Sequence, residues 1–215
     1  PCNYSVVVTY PGDVEGYFSS FGTGDQFEVY KLNTTIAATP TTPPITVEDP
    51  EIITVSVNTT AGGFAKVTIN GKDYYAIVES GIATFEIPNL AKGEYTNIPV
   101  TYLGDNHFKQ NSTKTSFVVG ATDDYTITVH ADNITYGQNA TIYISLPTSV
   151  SENLTVFINN DKYENVTVVN GMANLTVPDL AVGTYTVNVT YPGDNVYAPN
   201  EKNGTVLKNK KTEKS

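Results

Sequence analysis

Few side chains in this chain can move a proton or attack a carbonyl, and their spacing keeps them apart. The two histidines, His107 and His130, fall in different segments, the single cysteine is Cys2 with no histidine beside it, and no Gly-x-Ser-x-Gly turn occurs. A nucleophile needs a base within hydrogen-bond reach and a third group to orient that base, so no triad can be assembled. The adjacent carboxylates Asp123-Asp124 are the pair nearest to glycosidase chemistry, which requires two carboxyls flanking a cleft, and nothing around them suggests one. No catalytic residue is therefore assigned, no cofactor is expected, and the chain is read as a non-enzyme.

Metal chemistry fares no better. Asp13, Asp105 and Asp194 recur in loops, but calcium takes roughly six to eight oxygen ligands, and the acidic spacing matches no calcium loop. These aspartates are read as turn caps, whose carboxylates accept backbone N–H groups close by in sequence. One cysteine can form neither an internal disulfide nor a zinc cluster. Lys66 is the strand-placed lysine that a Lys-to-Asn isopeptide crosslink would use, but the sister segment has no evident counterpart.

One modification chemistry is abundant. Asn-x-Ser/Thr sequons occur at Asn3, Asn33, Asn58, Asn111, Asn133, Asn139, Asn153, Asn165, Asn174, Asn188 and Asn203, more than composition alone would place. In an exported protein they are candidate N-glycan acceptors. Asn165, Asn174 and Asn188 are expected on the solvent faces of strands.

Twelve basic residues, all lysine, face 22 acidic ones, giving a formal charge of −10. That sign repels phosphate backbones and anionic lipid, so neither nucleic acid nor a membrane surface is an expected partner. No apolar run is long enough to span a bilayer. The sequence opens on Pro1 without an initiator Met, so any export signal or anchor is expected outside these residues.

The elements that position these groups come from an internal repeat. YSVVVTYPGD from Tyr4, YTNIPVTYLGD from Tyr95 and YTVNVTYPGD from Tyr185 are copies, and their Gly-Asp pairs at 12–13, 104–105 and 193–194 set a period of 92 and then 89 residues. IATFEIPNLAKG at 82–93 likewise matches MANLTVPDLAVG at 172–183. A period of this size is one β-sandwich domain. The boundaries follow: 1–31 as the last two strands of a truncated repeat, near 3–10 and 24–30; 32–120 and 121–208 as complete repeats; 209–215 as a linker or tail.

Within 121–208, strands are expected near 124–131, 139–146, 154–159, 162–169, 172–177, 184–191 and 204–208. Val187, Val189 and Tyr191 alternate with polar residues, the period-2 signature of a strand with one buried face. The fold class is all-β: tandem immunoglobulin-like antiparallel sandwiches of about seven strands each. Leu180-x-x-Gly183-x-Tyr185 and Leu90-x-x-Gly93-x-Tyr95 are expected to form tyrosine corners, in the absence of a disulfide and of tryptophan. Tyr-Pro192-Gly193-Asp194 suits a type II turn, with Gly104 and Asp105 its equivalents. The proline-rich 39–44 should break the first strand of 32–120, and the extra residue around Pro99 implies a bulge.

The L-x-x-G-x-Y-x-V-x-V-T-Y-P-G-D-x-x-Y pattern at 180–197 resembles bacterial and archaeal immunoglobulin-like repeats, most closely those of adhesin-like surface proteins of methanogenic archaea. The resemblance implies an extracellular, cell-surface or secreted stalk, spacer or adhesive segment. Its partners would be neighbouring repeats of the same chain and a partner-cell or host glycan or protein. It leaves open that the repeats themselves bind a ligand, or that they are accessory modules of a secreted polysaccharide-degrading enzyme.

Overall fold

A computed structural model describes residues 2–150 and 152–211, and over them the chain is all β. β1 (Cys2–Tyr4), β2 (Val7–Tyr10), β3 (Ser20–Thr23) and β4 (Phe27–Val29) form one interrupted hairpin. β1 pairs with β4 and β2 with β3, and the Gly24 amide bonds the Val6 carbonyl across the gap at 2.9 Å.

The next copy contributes β5 (Ile36–Thr39), β6 (Ile45–Thr46), β7 (Glu51–Val57), β8 (Phe64–Ile69), β9 (Lys72–Ile77), β10 (Ile82–Ile87), β11 (Gly93–Tyr102) and β12 (Asn111–Gly120). They form two sheets, ordered β10-β7-β5 and β6-β12-β11-β8-β9. The last copy repeats the plan with β13 (Thr128–Ala131), β14 (Ile134–Thr135), β15 (Ala140–Ser145), β16 (Leu154–Ile158), β17 (Asp161–Val166), β18 (Met172–Val177), β19 (Gly183–Tyr191) and β20 (Asn200–Lys210). Its sheets run β13-β15-β18 and β14-β20-β19-β16-β17.

By Cα packing the chain divides into two compact units. One comprises Pro1–Thr42, Glu51–Ile87 and Tyr95–Phe117; the other comprises Pro43–Pro50, Pro88–Glu94 and Val118–Ser215.

Alternation selects which side chains are buried. Along β15, Ala140, Ile142 and Ile144 point inward; along β16, Leu154, Val156 and Ile158; along β19, Val187, Val189 and Tyr191. β-Branched residues dominate because they fill a pleated inner face with little rotamer freedom to lose. The hairpin of β1–β4 has the same alternation without a cover: from Cys2 to Asn33 every residue but Gly12 is exposed.

The structure departs from these expectations at several points. The first strand of each complete copy is two pieces in different sheets: β5 and β13 pair antiparallel with β7 and β15, whereas β6 and β14 pair parallel with β12 and β20. The proline-rich break at 39–44 is thus a change of sheet, and Asp132-Asn133 makes the same change without proline. The bulge in β11 sits at Asn97, which adopts φ 56° and interrupts the burial alternation, while Pro99 simply faces solvent. β20 begins at Asn200 and runs to Lys210, so the expected tail at 209–215 starts inside a strand; residues 212–215 lie outside those described.

Candidate functional site

The Gly-Asp turn is built alike in all three copies. Gly12, Gly104 and Gly193 take φ of 84°, 82° and 83°, which L-residues reach only with strain. A Cβ on Gly104 would also lie 2.9 Å from the Gln110 nitrogen, and one on Gly193 2.7 Å from that of Pro199. The adjoining aspartate then gathers amides. Asp105 accepts from Gly62 (2.8 Å), His107 (2.7 Å) and Phe108 (2.7 Å), Asp194 from Val196 and Tyr197 (both 2.7 Å), and Asp13 from Glu15 (2.9 Å) and Tyr17 (3.2 Å). Each aspartate is a turn cap, and His107 stands exposed beside one.

The tyrosine three residues before each aspartate reaches toward it. Tyr10 donates to Asp13 at 2.7 Å, while Tyr102 and Tyr191 are fully buried. Burial raises the Tyr102 phenol to about 12, with the Asp105 charge adding to the shift; burial and Asp194 raise Tyr191 likewise. Burial pushes the Asp105 carboxyl upward, but the amides of Gly62, Phe108 and His107 and the Tyr102 hydroxyl outweigh it and hold the group at about 2. A carboxylate so depressed is fixed in its charged, accepting state. It makes a poor acid or base at neutral pH and a reliable cap.

The tyrosine corner forms where Leu180-x-x-Gly183-x-Tyr185 places it: the Tyr185 hydroxyl donates to the Ala181 carbonyl at 2.8 Å. In the sister copy Leu90 is buried and Tyr95 stacks on Phe117, centroids 4.9 Å apart at 9°. Sequence reasoning missed the side chain beneath the corner. Asn209 is buried and its amide donates to the carbonyls of Leu180 (2.7 Å) and Ala181 (3.1 Å). Val119 holds the same register position in β12, opposite β6 as Asn209 is opposite β14. A second missed device is a backbone strap. The Leu32 amide donates to His107 O (2.7 Å) and its carbonyl accepts from Lys109 (2.9 Å); Thr122 repeats this with Val196 and Ala198, both at 2.8 Å.

The sequons divide by what their amides do. Asn111 uses its Nδ2 on the Thr34 carbonyl (2.6 Å) and Asn203 on Glu201 (2.8 Å). Asn33, Asn58, Asn133 and Asn188 accept through Oδ1 from the Lys109 ammonium and the amides of Thr35, Lys208 and Gly204. Asn188 is consequently half-buried at the register shift of β19, where free exposure was expected. Asn3, Asn139, Asn153, Asn165 and Asn174 are exposed.

Lys66 forms an ion pair with Asp73 at 3.1 Å. Among the described residues no three metal-ligating side chains converge, and the Asp124 backbone amide donates to the Thr122 hydroxyl at 3.2 Å. No helix among the described residues is long and apolar enough to cross a membrane.

These features define immunoglobulin-like β-sandwiches. Residues 125–208 match the family described as bacterial Ig-like domain (group 3). No curated protein matches the chain. Among solved structures it is similar to the fibronectin(III)-like modules of CbhA from Clostridium thermocellum, at 12% identity and TM-score 0.33, covering 81% of this chain and 95% of that one. It is also similar to the titin domains Z1Z2 in complex with telethonin, at 12% identity and TM-score 0.42, covering 82% and 98%. Both likenesses concern fold alone.

Proposed function

We propose that the chain is a non-enzymatic, load-bearing spacer segment of a large extracellular, adhesin-like surface protein. The observation that carries this is the parallel pairing repeated in each complete copy. Ile45 and Thr46 align with Val119 and Gly120, and the Val47 amide bonds the Gly120 carbonyl at 3.0 Å. Ile134 and Thr135 align with Asn209 and Lys210, and Tyr136 bonds Lys210 O at 2.8 Å. The chain enters each sandwich through β5 or β13, passes directly into the short parallel strand, and leaves at the end of the long one. Once tension has drawn β5 or β13 off its antiparallel neighbour, it loads these parallel hydrogen bonds together in shear, where an antiparallel end pair would peel one bond at a time. The side chains the copies share also serve the scaffold, namely the corner tyrosine, the Gly-Asp turn and its buried tyrosine.

Surface placement draws support from the bacterial Ig-like match over 125–208 and from the density of sequons. The test is single-molecule extension of the chain. Tyr136→Pro removes the amide that bonds Lys210 at a partly exposed strand end, and the unfolding force of the last sandwich is expected to fall while that of the other is unchanged. An unaltered force distribution would sink the load-bearing reading. Protease shaving of intact source cells tests the surface placement separately.

A further inference from the structure

The outer face of the sheet β13-β15-β18 carries one row that its sister lacks. Asn174, Tyr143 and His130 are direct partners across the three strands, and all three are exposed. The Tyr143 and His130 rings stack, centroids 6.3 Å apart at 28°, and Asp132 holds the imidazole at 2.9 Å. In the other sandwich the corresponding row, across β10, β7 and β5, is Thr84, Thr54 and Thr39. The sheet thus closes equally well on three threonines, and nothing in the fold requires an aromatic pair facing water at this point.

Asn174 is also the first residue of the sequon Asn174-Leu175-Thr176. Leu175 packs against the core and so fixes the strand, leaving Asn174 and Thr176 on the solvent face. Asn111 and Asn203 have committed their Nδ2 atoms; the Asn174 side chain has no hydrogen-bond partner among the described residues. Opposed Cβ atoms on paired strands lie about 4.5–5.5 Å apart. A sugar ring attached to Asn174 would therefore reach the exposed face of Tyr143, which is 45% accessible. A pyranose presents C–H groups on one side, and those groups pack well on an aromatic face.

We propose that Asn174 carries an N-linked glycan whose first sugar ring rests on the shelf formed by Tyr143 and His130. This deepens the extracellular reading above and rests on it. In the modifying step the Asn174 Nδ2 forms a bond to the anomeric carbon of a lipid (pyro)phosphate-linked saccharide. The anomeric C–O bond breaks, the (pyro)phosphate leaves with its electron pair, and one amide proton passes to a base of the transferase. The attached sugar covers an aromatic pair that otherwise faces water and braces the strand β18 against β15.

The test is glycopeptide mapping of the full chain purified from its source cells, followed by NMR of the glycosylated protein. Asn174 is expected to be occupied, with first-sugar protons shifted upfield by the Tyr143 ring. That shift should vanish in Tyr143→Thr, which installs the sister residue and so preserves the sheet, as circular dichroism would verify. An occupied Asn174 with unshifted sugar protons overturns the shelf. A bare Asn174 in protein that cell-surface shaving removes overturns the site and leaves the extracellular reading standing. A bare chain retained inside the cell overturns both.

Discussion

The Tyr185 hydroxyl donates to the carbonyl of Ala181, four residues back, and the same oxygen receives a second hydrogen from the buried amide of Asn209. Two side chains from adjacent strands therefore hold one turn, in a sandwich that has no disulfide to do so. Tyr185→Phe alone should cost about 1 kcal/mol, the net value of one hydrogen bond. Asn209→Val copies the sister residue Val119 and also removes an Oδ1 that has no partner, so its cost should be of similar size or smaller. The double variant leaves Ala181 without either donor and should exceed the sum of the singles by about 0.5–1 kcal/mol. Urea denaturation of the four proteins measures this coupling, and strict additivity would show that the two contacts are independent.

The caps predict a pH dependence with opposite signs at the two extremes. Asp105 stands at about 2 in the fold against 3.8 ordinarily. Its stabilisation is fully present above 3.8 and is lost as pH falls through about 2. Tyr102 is raised from 10.0 to about 12, so its contribution is complete below 10 and disappears as pH rises toward 12. Asp105→Asn should flatten the acid limb of a stability profile, and Tyr102→Phe the alkaline limb. At neutral pH, Asp105→Ala should cost about 1–3 kcal/mol through the three amides it abandons.

Much of this scaffold was legible in the sequence because its signals are local. The Gly-Asp turns and the corner tyrosine each depend on a φ value or a contact within a few residues. What escaped depends on the far side of the chain. Asn209 lies in a lysine- and asparagine-rich stretch that reads as solvated tail, and only pairing with β14 and Gly183 buries it. The change of sheet at Asp132-Asn133 involves no proline, and β14 is too short to show a period. Asn97 carries the bulge because asparagine tolerates the left-handed region better than its β-branched neighbours, a preference that the conspicuous Pro99 concealed.

Glycine at positive φ separates two costs that are usually confounded. Gly171 has φ 72°, and an added Cβ would lie 2.6 Å from the carbonyl oxygens of Leu146 and Pro147; Gly204 has φ 85° with nothing within 4 Å. Gly204→Ala should therefore cost only the conformational penalty, about 1 kcal/mol. Gly171→Ala must also displace two backbone carbonyls, and a loss of about 3 kcal/mol or more is expected. Equal midpoints for the two variants in thermal melts would mean that the turn at 170–171 yields to accommodate the methyl group.

In the hairpin of β1–β4 the motif tyrosine sits under far less cover than its two counterparts. Tyr102 and Tyr191 are fully buried, while Tyr10 is 42% exposed and Val8 beside it 66% exposed. In the complete copies the inner face of the equivalent strands is closed by a three-stranded sheet, and among the described residues no such sheet faces β2 and β3. Two short ladders without apolar cover open at little free-energy cost. Amides of residues 4–10 should exchange with solvent deuterium on the order of a hundredfold faster, or more, than those of 185–191. Comparable protection in the two segments would mean that the hairpin face finds cover in solution, and analytical ultracentrifugation across a concentration series would then show whether a second copy supplies it.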